Sequence, residues 1–279
     1  MAKFRQRLIR KIFSSLKGRH YHWRALAPEI SRITRDCGDH IITFDPTDII
    51  GRHLYTFGHW QRDDFDLMMA HLRQHNLLKP GKAALELGAN IGTQTIYMHL
   101  SGCFDKVVAV EADPQTARLL DINIADNGFS DRTHIVAKAI GAENGTATFY
   151  QSEKERGRNS LLAKANGSAI DVPMVTLETL FADCGVAADD IGFVWLDLEG
   201  FEFEVMQQIV AVLPGDVPIF TEFSPQKYGV EKTDAFVELI RAHYTDSYQV
   251  NDGGFAGPMA TADLQPSQDQ VDLLLFNQV

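Results

Sequence analysis

No stretch of the 279 residues approaches the roughly 18 continuous apolar side chains of a membrane-spanning helix. The N-terminus also lacks the uninterrupted apolar core and small-residue cleavage site of a secretory signal. Cysteine is scarce: Cys37, Cys103 and Cys184 lie far apart, match no zinc spacing and form no even-numbered disulfide framework. No internal repeat is visible, and residues 1–24 contain no acid. Together these absences argue against a membrane span, a disulfide scaffold and a structural zinc module, and they predict a cytoplasmic protein in a reducing compartment.

With 45% hydrophobic and 23% charged residues, the chain has enough apolar material for an extended core, so disorder need not be invoked. The length fits one large α/β domain, expected over residues 45–279, behind an N-terminal extension over residues 1–44. Charge is uneven. Lys3, Arg5, Arg7, Arg10, Lys11, Lys17, Arg19 and Arg24 precede a remainder that must carry −19 if the whole is −11. So acidic a body repels a phosphate backbone, which disfavours general nucleic-acid binding and leaves small molecules or saccharides as the expected substrates. Within the extension, Phe4, Leu8, Ile12 and Leu16 recur every four residues, with Ile9 and Phe13 beside them. This basic amphipathic helix suits peripheral contact with an anionic membrane surface, or packing on the body or a protein partner with its charges solvated.

From about residue 80 short apolar runs alternate with segments of helical period, which predicts a mostly parallel sheet flanked by helices. Strands are expected over 82–87, 106–112, 132–139, 191–198 and 217–223, with a final antiparallel pair over 247–251 and 271–276. Gly145 to Gln151 reads as an added hairpin strand, and residues 152–170 as a polar loop able to cover a ligand. Helices are expected over 91–100, from Pro114 to the Asn127-Gly128 stop, and over 176–184, 201–213 and 233–243.

Three motifs fall at strand ends. Leu85-Glu86-Leu87-Gly88-Ala89-Asn90-Ile91-Gly92 leaves the first strand, turns on glycines and enters a helix, the place where doubly wound sheets bind ligands. A dinucleotide fingerprint would need glycines where Asn90 and Thr93 stand, which weakens a nicotinamide reading. Glu86 instead offers an acceptor for the ammonium of S-adenosylmethionine. Val108-Ala109-Val110-Glu111-Ala112-Asp113-Pro114 ends the second strand on Glu111, about 20 residues after the turn, the spacing of a ribose-binding acid. Asp197-Leu198-Glu199-Gly200-Phe201-Glu202 ends the fourth strand, and Asp197 and Glu199, two apart, point to one side. For Glu202 the alternative is helix capping.

These motifs, in this order and separation, resemble the FkbM family of methyltransferases over roughly residues 45–250, as do Leu119 to Asn127, Val175-Thr176-Leu177 and Ile219-Phe220-Thr221-Glu222. The resemblance implies a Rossmann-like class I methyltransferase fold with a seven-stranded sheet. It also implies S-adenosylmethionine as cofactor and methylation, often of a hydroxyl on a sugar or natural product. Two departures, Glu86 where aspartate is frequent and Ala112-Asp113-Pro114 in place of a proline-first pattern, keep the carboxylates.

On this reading Glu86, Gly88, Ala89, Asn90, Gly92, Thr93, Glu111, Ala112, Ala139 and Asp197 are the cofactor-binding candidates. Asp197 and Glu199 are the candidate bases for a hydroxyl acceptor. His53 and His59, in an aromatic segment able to shape a pocket, join Ser160, Glu202 and Glu222 as substrate-contact candidates. Asp197, Glu199, Glu202 and Glu222 could offer oxygen to magnesium or calcium, but there is no His or Cys cluster and no metal is expected. Two rivals stay open: a nicotinamide-dependent oxidoreductase, and a noncatalytic protein that keeps the cofactor pocket while its N-terminal helix recruits a partner.

Overall fold

Apolar runs buried on both faces of a sheet show no polar alternation, and Ala83 to Leu87 and Ile191 to Leu196 are buried at every position. These two runs lie side by side at the centre of the computed structural model. It describes Gly18, Trp23 and residues 27–151, 160–162, 168–251, 254–265 and 269–278. The amphipathic stretch from Phe4 to Leu16 and most of the polar loop over 152–170 lie outside these residues.

In chain order the elements are a hairpin of β1 (Ile33–Asp36) and β2 (Ile41–Phe44), then α1 (Ile49–Phe57) and α2 (Arg62–Gln74). The alternating core follows as β3 (Ala83–Leu87), α3 (Thr93–Ser101), β4 (Lys106–Val110), α4 (Pro114–Asp126) and β5 (Thr133–Val136). Next come β6 (Ala139–Ile140), β7 (Gly145–Gln151), β8 (Ser168–Val175), α5 (Leu177–Cys184), β9 (Ile191–Leu196) and α6 (Glu202–Val212). The chain closes with β10 (Ile219–Phe223), the one-turn α7 (Pro225–Tyr228), α8 (Val230–His243), β11 (Asp246–Asn251), β12 (Gly254–Ala260) and β13 (Val271–Phe276).

The main sheet has eight strands in the order β12-β11-β13-β10-β9-β3-β4-β5. Strands β5, β4, β3, β9 and β10 run parallel, while β13 is antiparallel to β10 and to β11. Seven of these strands are those expected. The eighth, β12, is an edge strand that contains Gly257-Pro258, and an edge tolerates proline because no neighbour needs its missing N–H. The strand expected over 132–139 is split: β5 stays in the main sheet, and β6 joins β8 and β7 in a separate three-stranded sheet. No described helix is long and apolar enough to cross a membrane.

Side chains alternate between two cores, as period-two geometry requires. Ala84, Phe193 and Trp195 face a core shared with α2, α3 and α4, whereas Leu85, Leu87, Val194 and Leu196 face one shared with α5, α6 and α8. The β1–β2 hairpin joins the first core through Ile42 and Phe44. Asn123 and Asn127 of α4 fix it by acting as a strand edge. Asn123 accepts from Thr43 N at 2.7 Å and donates to Thr43 O at 3.0 Å, while Asn127 accepts from Ile41 N at 2.9 Å and donates to Ile41 O at 2.6 Å. The Asn123 amide also donates to Ile91 O at 2.7 Å, so one buried side chain ties the hairpin to the glycine turn.

Candidate active site

Sheet order reverses at β3, from which the chain goes first to β4 and β5 and later back to β9, and ligands of such sheets bind at the carboxyl ends beside that point. Here the backbones converge tightly. Gly88 N donates to Val110 O at 3.0 Å, and Asp197 N donates to Leu87 O at 3.0 Å. Gly88 has φ +93°, and a Cβ placed on it would lie 1.8 Å from Asp197 O. The first glycine of the turn is therefore required by the approach of β9, which sets Asp197 beside the turn.

A cavity of about 360 Å³ opens there, within the size range of small-molecule sites. One end is walled by Gly88, Asn90, Thr93, Ala112 and Ala139 around Glu111. Glu111 accepts from Asn90 N at 2.9 Å and Asp113 N at 2.8 Å, and burial pushes its carboxyl up to about 7. Asn90 holds a left-handed φ of +50°, and its buried Oδ1 has no hydrogen-bond partner among the described residues. An idle buried acceptor beside a carboxylate costs free energy unless a ligand's donors meet it.

The other end is acidic and aromatic. Asp197, Glu199, Glu222 and Asp272 line it together with Trp60, Trp195 and Phe220. Glu222 and Asp272 are cross-strand partners of β10 and β13, a like-charge pairing that is unfavourable without compensation. One oxygen each of Asp197, Glu199 and Glu222 lie within 4.8 Å of one another. Lys227 of α7 reaches in, with Nζ 2.8 Å from Glu199 Oε2 and 2.8 Å from Glu222 Oε1. Burial lowers the Lys227 ammonium's pKa, but the two carboxylates outweigh burial and raise it on balance. Asp197 has a shielded Oδ1 without a partner among the described residues; burial first, and then the charges of Glu222, Glu199, Glu202 and Asp272, raise its carboxyl well above the usual range.

Several expected contacts lie outside the cavity walls. Glu86 is 1% exposed, accepts from Thr95 Oγ1 at the start of α3, and burial pushes it up to about 8. It braces the turn from beneath instead of facing the cavity. Ala89 and Gly92 are turn residues, and a Cβ on Gly92 would meet Leu120 Cδ1 at 2.6 Å, so this glycine answers helix packing. Glu202 is fully buried at the start of α6 and accepts from Leu198 N at 2.8 Å, Gly200 N at 3.0 Å and Tyr228 Oη at 2.7 Å. It clamps the turn that carries Glu199, which is the capping alternative in an extended form. Ser160 donates to Glu199 O at 2.8 Å, and it is the neighbouring Leu161 that reaches the wall. His53 and His59 flank the cavity without lining it, and His53 sits edge-on to Trp60 at 5.2 Å.

Lys227, Asp272 and Trp195 are not legible as site residues in the sequence. Trp195 stacks on Phe220 at 3.9 Å in adjacent strands, where it reads as core. Trp60 had a signal, the aromatic run around His53 and His59.

A model of the methyltransferase FkbM domain matches residues 86–265, well over half of the chain. No curated protein matches the chain. Similar solved structures include an O-methyltransferase from Bacillus cereus in complex with SAH, at 13% identity and TM-score 0.45, covering 76% of this chain and 80% of that one. Another is the M. jannaschii tRNA m1G37 methyltransferase, at 11% identity and TM-score 0.45, covering 90% of this chain and 56% of that one. A third is P. horikoshii TYW2 in complex with MeSAdo, at 12% identity and TM-score 0.42, covering 88% and 72%.

Proposed function

The chain belongs to the FkbM family of methyltransferases, and from that premise we propose that it methylates a hydroxyl of a sugar or small natural product in the cavity beside Gly88 and Asp197. It is an S-adenosylmethionine-dependent methyltransferase, and the family match removes the nicotinamide alternative. The cofactor supplies an electrophilic methyl group on a positively charged sulfur.

Glu111 is the residue proposed to hold the ribose. A carboxylate has about four acceptor sites; Asn90 N and Asp113 N take two, the Ala112 backbone N–H also contributes, and the remaining capacity is what the ribose hydroxyls would use. Asn90, Thr93, Ala112 and Ala139 shape the wall. Glu111→Gln keeps the shape and loses the charge. Charge-assisted hydrogen bonds exceed neutral ones by about 1 kcal/mol each, so two of them predict a roughly 10- to 30-fold higher Kd for S-adenosylmethionine. Since hydroxyl donors favour the charged form, wild-type affinity should fall as pH drops below about 7, and the variant's should stay flat. Isothermal titration across pH 5.5–8.5 reads both.

The observation that carries the acceptor reading is Asp197, whose partnerless Oδ1 stands among carboxylates and aromatic walls. Such a surface suits a neutral polyol: hydroxyls donate to Glu199, Glu222 and Asp272, and the C–H faces of the ring pack on Trp60. A phosphorylated acceptor would be repelled. As the new O–C bond forms and the methyl–sulfur bond breaks, leaving a neutral thioether, the acceptor's proton passes to the Asp197 carboxylate. Phe149, Leu161 and Phe201 line the same cavity and exclude water.

The test is a panel of neutral sugars, aminosugars and phosphosugars of one skeleton, incubated with the enzyme and methyl-labelled cofactor. O-linked label on the neutral members is expected. Label confined to nitrogen, or a preference for the phosphorylated members, would remove the hydroxyl reading.

A further inference from the structure

Three acidic side chains of the cavity approach closely enough to share a divalent cation, yet a positive charge is already built in between two of them. Lys227 Nζ is 2.8 Å from Glu199 Oε2, and 2.8 and 3.2 Å from the two oxygens of Glu222. We propose that Lys227 is the resident cation of this cluster, filling the gap between Glu199 and Glu222 that a divalent metal would otherwise take, so that methyl transfer proceeds without metal.

The surrounding chain is shaped for that side chain. Pro225 starts the one-turn α7 directly after β10, and Lys227 N donates to Ser224 O at 2.8 Å, which aims residue 227 back at the strand end it has just left. Gly200, at φ +107°, leaves room for Leu162 and for the lysine stem: a Cβ there would lie 2.5 Å from Leu162 Cδ1, 3.2 Å from Lys227 Cβ and 3.3 Å from Lys227 Cδ. The glycine of the Asp197–Glu202 motif thus has a packing reason that its sequence context does not reveal. The adjacent Tyr228 bonds Glu202 Oε2 at 2.7 Å. Two neighbouring residues of α7 therefore serve three of the four acids that surround Asp197, and Asp197 keeps a buried oxygen without a partner. Oxygen-ligated cations sit at about 2.0–2.6 Å from their ligands, so an ammonium 2.8 Å from both glutamates leaves no space for one between them. Lys227 is on this account a positioning residue, which holds Glu199 and Glu222 as acceptors for the substrate.

The inference rests on reading this cavity as the transfer site, but its test needs no acceptor. Mn2+ binding is followed by electron paramagnetic resonance on the full chain as wild type, Lys227→Arg, Lys227→Met and, as a control for loss of an ion pair elsewhere, Lys232→Met, whose partner is Glu204. Wild type, Lys227→Arg and Lys232→Met should show no stoichiometric binding below about 1 mM, the weak end of oxygen-ligand sites. Lys227→Met should bind one Mn2+ at least about tenfold more tightly than wild type, a difference of about 1.4 kcal/mol. Cofactor affinity of Lys227→Met should match wild type. Stoichiometric Mn2+ on the wild type would overturn the proposal whether or not Lys227→Met folds. A folded Lys227→Met that binds no Mn2+ would overturn it too. Failure of the sugar panel with these outcomes intact would strike only the acceptor reading.

Discussion

Asp197→Asn should lower kcat by about 10²- to 10⁴-fold, the usual contribution of a general base, and leave the chain folded. The substitution is nearly isosteric, and the bond from Asp197 N to Leu87 O is made by backbone and survives. No bond from a described residue to Oδ1 is lost, because that oxygen has no partner among them. Stability should move the other way. Burial and the neighbouring negative charges raise the folded-state pKa of Asp197 above its unfolded value, so the folded chain holds a proton that the unfolded chain releases. The fold consequently loses stability as pH rises from the unfolded pKa toward the folded one, and the asparagine variant escapes that loss. At neutral pH its unfolding temperature should equal or exceed that of wild type while turnover collapses, the divergence expected where a site keeps an unfavourable group for function. In wild type, kcat/KM should decline as pH falls through the raised pKa, at a pH above the ordinary carboxylate range. Full turnover in Asp197→Asn would end its assignment as base.

Gly88→Ala should be the most destabilising single methyl addition in the site. The new carbon would lie 1.8 Å from Asp197 O, a backbone atom that cannot rotate away, and alanine would be held at a φ of +93°. Left-handed backbone costs a non-glycine residue about 1–2 kcal/mol and core overpacking about 1–3 kcal/mol. The sum, about 2–5 kcal/mol, is a large share of the roughly 5–15 kcal/mol that holds a domain folded. At this chain length it lowers the unfolding temperature by about 5–15 °C. Any chain that does fold must part β3 from β9 at their carboxyl ends, so cofactor binding should weaken even well below the transition. Gly102→Ala is the matching control: its φ is also positive, at +65°, but nothing lies within 4 Å of an added Cβ. It should show the conformational cost alone, and equal effects at both positions would refute the steric argument.

Much of the site is local in sequence and was legible for that reason. Gly88, Asn90, Thr93, Glu111, Ala112, Ala139, Asp197, Glu199 and Glu222 are expected site residues and line one cavity. Gly88, Glu111, Asp197 and Glu222 stand at or just beyond the ends of buried strands, where an acid or a glycine breaking an apolar run marks the carboxyl edge of the sheet. The roles of Glu86 and Glu202 were less legible. An acid near a glycine looks the same whether its carboxylate faces the ligand or accepts from Thr95, or from Leu198 N and Gly200 N. Asn123 and Asn127 likewise read as ordinary helix residues, because the strand edge they satisfy lies about 80 positions earlier.

The order of apolar runs, glycines and strand-end acids by itself determined the alternating α/β architecture, the position of the ligand edge and the family, because strand burial, turn geometry and strand-to-helix spacing are short-range properties. Tertiary structure alone decided which acids face the cavity, what compensates them and why the glycines are needed. Asp272 meets Glu222 only through antiparallel pairing of strands 48 residues apart in sequence, between Phe223 and Val271. Lys227 meets Glu199 across 28 positions. Gly88 owes its lack of a side chain to the carbonyl of Asp197. Those contacts form between segments with no local bias toward each other, and charge and close approach act through space without regard to distance along the chain.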